Sequence, residues 1–295
     1  GVTETSILLR DEAYPVEVKL ILTAFERENV IKSRTEIVHY ERKPVTLYEY
    51  ASSMLRLGAG SYYLTEFTGD WAHEVNKSER RLDFGKKVLD SSLGSRANMF
   101  CPPLFAVTLD GPMSETEGEV LLGTLAWTGN FRFTFEVDQN NGLRILSGIN
   151  PFASEYSLRP REIFRTPEFI FTFSTGGAGS ASRSLHDWAR RHQLKDGGKD
   201  RMTLLNNWEA TYFDFNEEKL AALMDDAAEL GVDMFLLDDG WFGNKHPRHN
   251  DTQGLGDWDE TARRHRRTGR NCRGQGHPLR SLDRTRNGQS PQRAV

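Results

Sequence analysis

Apolar and polar positions alternate through the first part of the chain. From Pro15 to Leu22, Val16, Val18, Leu20 and Leu22 fall on one side and Glu17, Lys19 and Ile21 on the other, the two-residue period of a half-buried strand. Similar short runs follow at Val30-Ile31, Ile37 to Tyr40, Val45 to Tyr50 and Ser61 to Phe67, separated by charged or glycine-bearing turns. The clearest is Phe131 to Val137, where Phe131, Phe133, Phe135 and Val137 alternate with Arg132, Thr134 and Glu136. Asn141-Gly142 then supplies the positive-φ residues of a tight hairpin turn before Leu143 to Leu146. Gly148 to Phe152 breaks the pattern, and Glu168 to Phe173 gives one more strand. Strands at this spacing, with almost no helical pattern between them, predict an antiparallel β-sandwich over residues 1–180.

The period changes at Ser182. Leu185, Trp188, Ala189 and His192 fall at helical spacing and predict one amphipathic helix. Lys195-Asp196-Gly197-Gly198-Lys199-Asp200 reads as the linker out of the first domain. Beyond it come a short strand at Thr203 to Leu205, a helix capped by Asn216, and a second strand from Met234 to Leu237. That helix carries Glu217 and Glu218 in its first turn, a stripe of Leu220, Leu223, Met224, Ala227 and Leu230, and Gly231 as its stop. Four apolar residues in a row predict a second strand covered on both faces, as in a parallel sheet. Each strand ends on polar and aromatic residues, Asn206-Asn207-Trp208-Glu209 and Asp238-Asp239-Gly240-Trp241. In an α/β barrel the carboxyl edge of the strands is where ligand chemistry gathers.

Paired carboxylates beside indole rings are a sugar grip. Carboxylate oxygens accept hydrogen bonds from hydroxyls, and an aromatic face covers the apolar side of a pyranose. The candidate binding residues are therefore Asp238, Asp239, Trp208 and Trp241. His246, His249 and Asp251 have the residue types of a metal cluster but lie in a polar loop, and no metal or cofactor is expected. Two cysteines, Cys101 and Cys272, are too few for a disulfide framework and favour a reducing compartment. No apolar run approaches the roughly 18 to 20 residues that cross a bilayer. No secretory leader is visible at the start, so a cytoplasmic location is expected. The net charge of −4 divides unevenly: ten arginines against Asp283 give residues 262–295 a charge of +9, which leaves −13 on the body. An acidic body and a tail without aromatics argue against a nucleic-acid partner.

Three motifs in order, Leu204 to Phe215, Phe235 to Gly243 and Leu255-Gly256-Asp257-Trp258, resemble glycoside hydrolase family 36, the microbial α-galactosidases. Gly69-Asp70-Trp71-Ala72-His73-Glu74 and the break at Gly148 to Phe152 are similar to that family's N-terminal domain. The resemblance implies a β-supersandwich before the start of a (β/α)8 TIM barrel, and retaining hydrolysis of terminal α-galactosides such as melibiose and raffinose, in a chain that often forms homotetramers. It assigns galactose hydroxyls to Asp238 and Asp239 and the pocket wall to Trp208. Its nucleophile and acid/base are aspartates of later barrel strands, so no catalytic residue is expected in this sequence.

The expected organisation is a sandwich over 1–180, incomplete at its start, a helix and linker over 181–200, two β/α units over 201–261, and a disordered basic tail over 262–295. Shifted by one frame, the codons of the tail can spell a stretch containing GLWIEPEMV, which the family would carry there, so a frameshift after Thr261 is expected. A rival reading is a non-catalytic carbohydrate-binding β-sandwich. Asp70, Trp71 and His73 are expected to close a sandwich edge rather than reach a neighbouring subunit, Asp257-Trp258 to shape a barrel loop or line the pocket, and Cys101 to be a small buried hydrophobe.

Overall fold

The computed structural model describes residues 1–243 and 245–258, together with the backbone of Arg280–Ser281. The chain divides into two compact units, Gly1–Gly198 and the part from Lys199 onward.

In chain order the strands of the first unit are β1 Val2–Arg10, β2 Val16–Phe25, β3 Val30–His39, β4 Val45–Leu47, β5 Ser53–Gly58, β6 Tyr62–Thr68, β7 Asn76–Leu82 and β8 Gly85–Ser91. They continue as β9 Leu104–Leu109, β10 Glu119–Leu125, β11 Phe131–Val137, β12 Gly142–Ile149, β13 Tyr156–Leu158, β14 Ile163–Arg165 and β15 Phe169–Ser174. Helix α1, Gly177–Trp188, closes the unit and runs into a π-helical turn at Ala189–Gln193.

Two antiparallel sheets carry the unit. The larger has nine strands in the order β1-β2-β3-β15-β10-β9-β6-β7, with β14 also paired to β3, and the smaller runs β5-β12-β11-β8. Alternation decides what lies between them. Phe131, Phe133, Phe135 and Val137 of β11 are buried while the polar residues between them are half-exposed. They meet Tyr62, Leu64, Phe105, Val107, Leu121 and Phe169 of the large sheet in one apolar core. Phe105 sits at its centre, with ring centroids 4.9 Å from Phe133 and 4.8 Å from Phe135 in edge-to-face contact. Gly123 makes room for it: a Cβ there would lie 2.7 Å from Phe169 Cζ and 2.9 Å from Phe105 Cζ.

Part of the other face of the large sheet is covered as well, by α1. Ala181 of α1 packs with Ala106 and Val120, and Trp188 with Phe25, Val30 and Ile170. Strands β9 and β10 are buried on both faces, and they lack polar alternation for that reason.

Three details differ from the sequence reading. The β11–β12 turn uses a positive φ at Asn141, 59°, and not at Gly142. Asp138 accounts for this: Asp138 N–H donates to the Gly142 carbonyl, and the Asp138 carboxylate accepts from the N–H groups of Asn140 and Gly142 at 2.9 Å each, which is a three-residue loop ending in a left-handed residue. Helix α1 starts five residues before Ser182, because Gly177, at φ 75°, and Gly179 bring its first turn against the backbone of Glu115 to Glu117, where no side chain fits. His192 lies in the π-turn, its ring 4.6 Å from that of Phe25.

The second unit holds strands β16 Leu204–Asn206 and β17 Met234–Leu236, the short helix α2 Trp208–Thr211 and helix α3 Glu217–Glu229. β16 and β17 are parallel neighbours joined through α3, a βαβ arrangement. Leu220, Met224 and Ala227 of α3 cover Phe235 of β17. Asn216 caps α3, its side chain accepting from Lys219 N–H at 2.9 Å. Leu230 is not part of the buried stripe: it is 82% exposed, because the helix has ended there and Gly231, at φ 77°, turns the chain away. Of Met234 to Leu237 only Phe235 is buried, so the strand is not covered on both faces as expected among the described residues. Most of the basic stretch after Trp258 lies outside the described residues, and the frameshift reading with it. The exception is β18, Arg280–Ser281, a two-residue strand parallel to β17.

Candidate functional site

The site grows from the ends of β16 and β17. Parallel pairing sets Asn206 beside Leu236, and the polar residues after both strands emerge together. Asn206 Nδ2 donates to Asp238 Oδ2 at 2.6 Å, while Asn206 Oδ1 accepts from Trp208 N–H at 2.7 Å. Asn207, 1% exposed, accepts from Asp238 N–H at 2.8 Å through Oδ1 and donates to Thr211 Oγ1 at 3.0 Å. Two asparagines, Asn206 at the end of β16 and Asn207 just after it, thus hold the carboxylate and the backbone of Asp238.

Asp239 has a different partner. Arg248 Nε lies 2.9 Å from Asp239 Oδ1 and Arg248 Nη2 lies 2.6 Å from Asp239 Oδ2, a two-pronged ion pair. The carboxylate oxygen Oδ1 also accepts from Gly240 N–H at 2.7 Å. The Arg248 guanidinium beside it holds the Asp239 carboxyl below the usual carboxylate range, against the opposing effect of burial, with Gly240 N–H adding to the lowering. The same pairing pushes the Arg248 guanidinium up.

Aromatic rings frame the pair. Trp208 is half-buried and meets Tyr212 and Phe213 edge-on at centroid distances of 5.3 and 4.9 Å. Trp241, also half-buried, meets Phe242 at 5.2 Å and Trp258 at 6.4 Å. The two groups are linked by Arg248, whose guanidinium lies 5.7 Å from the Phe213 ring and 5.9 Å from the Phe242 ring. Asp238, Asp239, Trp208 and Trp241 are therefore gathered on one strand edge, and Asn206, Asn207 and Arg248 join them. The asparagines stand in the motif but carry no charge to draw the eye, and Arg248 is one arginine in a polar loop, where arginines are ordinarily exposed. Asp257 fixes that loop by accepting from the N–H groups of Lys245 and His246 at 2.8 and 2.7 Å.

Other candidates remain apart. His246 and His249 are exposed, and among the described residues no group of three or more His, Cys, Asp or Glu side chains gathers as metal ligands would. Trp71 is 84% exposed in the first unit, on a turn closed by reciprocal backbone bonds between Asp70 and His73. Cys101 is half-buried, and burial first, then the charges of Glu66 and Asp90, push its thiol up to about 11, which leaves it protonated and unreactive at neutral pH.

Chemically, the strand edge offers carboxylate acceptors beside aromatic faces, which suits a polyhydroxylated ring. The family model for the glycosyl hydrolase family 36 N-terminal domain matches residues 1–159, and the model named Melibiase matches 163–270. The chain is 33% identical to alpha-galactosidase 2 of Hypocrea jecorina over 86% of this chain and 34% of that protein. It is 33% identical to alpha-galactosidase Mel36A of Lactobacillus acidophilus over 85% of this chain and 34% of that one. The solved alpha-galactosidase AgaA of Geobacillus stearothermophilus superposes with a TM-score of 0.87 at 31% identity, over 95% of this chain and 39% of its own. A variant of AgaA has been solved with raffinose and another with stachyose. The chain spans about a third of the length of the curated relatives it matches.

Proposed function

The chain belongs to glycosyl hydrolase family 36, and from that membership we propose that it carries the sandwich and the galactose-gripping strand edge of an α-galactosidase. The reaction is hydrolysis of terminal non-reducing α-D-galactosyl residues with retention, through a galactosyl-aspartate intermediate and without a cofactor. Its substrates are galactosides and galacto-oligosaccharides of the melibiose and raffinose type. The observation that carries the reading is the Asp238-Asp239 pair at the carboxyl end of β17, bonded by Asn206, Asn207 and Arg248 beside Trp208 and Trp241.

In this reading the 295 residues bind and do not turn over. Retention needs two carboxyls about 5 to 5.5 Å apart on either side of the scissile bond. Asp238 and Asp239 are already committed to holding hydroxyls, and the family resemblance assigns the reacting aspartates to later barrel strands. The full-length form works as a homotetramer, as the family resemblance implies, in the cytoplasm, a placement supported by the sparse cysteines.

Calorimetric titration of the chain with galactose and with glucose tests the reading, alongside release of nitrophenol from p-nitrophenyl α-galactoside. Galactose binding that Asp238→Asn abolishes, with no nitrophenol released, is expected. Turnover by this chain, or affinity that survives both Asp238→Asn and Asp239→Asn, refutes it. Affinity confined to residues 1–198 would move the function to the sandwich and support a lectin-like module.

A further inference from the structure

Two carboxylates adjacent in sequence repel each other, and a site built on them needs a compensating charge at a fixed place. Arg248 is that charge, and the loop is shaped to hold it. Its side chain is 6% exposed. Its third nitrogen, Nη1, donates to the carbonyls of Asn250 and Gln253 at 3.0 and 2.7 Å, so the guanidinium is committed within the protein rather than offered to a ligand. Two glycines let the loop close on it: a Cβ on Gly243, φ 95°, would lie 2.8 Å from Arg248 N, and one on Gly254, φ 75°, would lie 3.1 Å from Arg248 Cα. Both φ values also disfavour any side chain there.

The consequence lies in the acceptor directions left over. A carboxylate has about four, two on each oxygen. On Asp239, Oδ1 receives Arg248 Nε and Gly240 N–H, and Oδ2 receives Arg248 Nη2, with Nε shared as a longer second branch to Oδ2 at 3.2 Å. Three donors on about four directions leave one, on Oδ2. On Asp238, Oδ1 receives Asp239 N–H at 2.8 Å and Oδ2 receives Asn206 Nδ2. One direction remains on each oxygen, enough for two hydroxyls. Resting on the reading of this edge as a galactose site, we propose that Arg248 is its positioning residue: it reduces Asp239 to a single acceptor of fixed direction and leaves Asp238 to take a pair of sugar hydroxyls. Lysine cannot replace it, because a point charge has no fork to match both oxygens.

The ionisable groups around Arg248 are Asp239, its ion-pair partner, Asp238 beside that, and the charge of Asp251. The test follows Asp239 by carboxyl carbon-13 resonance, assigned by its loss in Asp239→Asn, and measures galactose affinity by calorimetry on the same chain. In the unmodified chain Asp239 should titrate below a free aspartate. Arg248→Met should raise that midpoint and weaken galactose binding at neutral pH by tenfold or more. Arg248→Lys should bring the midpoint part of the way back without restoring affinity, an outcome that loss of structure alone does not give. Asp238→Asn should weaken binding more than Asp239→Asn. Should Arg248→Met fail to fold by circular dichroism, Arg248→Lys decides. An Asp239 midpoint unmoved in the folded variants, or wild-type affinity in Arg248→Lys, overturns the proposal. An unmodified chain that binds no galactose overturns the reading of the site instead, and the Asp239 titration then still reports whether Arg248 sets its state.

Discussion

Glu28 is the carboxylate that ties the β2–β3 turn to the end of α1. Its side chain is 3% exposed and bonded to Arg191 at 2.7 Å and His192 at 3.3 Å. Burial pushes its carboxyl up, but the hydrogen bonds and charges of Arg191 and His192 outweigh that and bring it below the ordinary value. A carboxyl lowered by folding adds stability above its unfolded pKa of about 4.3, and that stability is lost as the pH falls through the folded value. Glu28→Gln should therefore unfold at lower denaturant than the unmodified chain at neutral pH, with the difference shrinking towards about pH 3. Urea titrations at both pH values check this. The sequence shows Glu28 as one more charged turn residue, because its partners lie more than 160 positions away. Asp239 and Arg248, nine positions apart, are close enough that the pair could have been sought. What hid it was burial, which depends on Gly243, Gly254 and two phenylalanines acting together.

Among the elements, α3 is the most legible in the sequence, Leu230 apart, and its cap gives the cleanest measurement. Asn216→Ala removes the acceptor for Lys219 N–H and should cost about 1 kcal/mol of stability, read as a lower denaturation midpoint. Its legibility comes from local causes: a capping side chain, acidic first-turn residues and a glycine stop. Strand β11 is legible for the same reason, since one face is wet and one is dry. Strands β9 and β10 are obscured because both faces are covered, and β7 because its row of Asn76 to Leu82 is nearly all polar. At the site, the motifs bring out the aspartates and tryptophans, while the hydrogen bonds of Asn206 and Asn207 become visible only once β16 and β17 stand side by side.

At the level of the molecule, the large sheet has two unlike edges. Strand β7 carries Lys77, Glu79, Arg80 and Arg81, charges that discourage further pairing. Strand β1 is exposed along its whole length, with Ile7, Leu8 and Leu9 46%, 49% and 48% exposed. The chain should self-associate through β1 as concentration rises, and Leu8→Lys should suppress this without changing the melting of the sandwich. Static light scattering over a concentration series measures the first and calorimetry the second.

The order β1-β2-β3-β15 in that sheet also sets a timetable for biosynthesis. The meander of the first three strands is made well before its partners: it joins the rest of its sheet through β15, which begins at Phe169, and β14, which begins at Ile163, pairs with β3 beside it. At typical elongation rates of about 5–20 residues per second, β3 waits on the order of ten seconds for its partner. During that interval its unpaired edge is open to other nascent chains, so yield in a cell should depend on chaperones that shield edges.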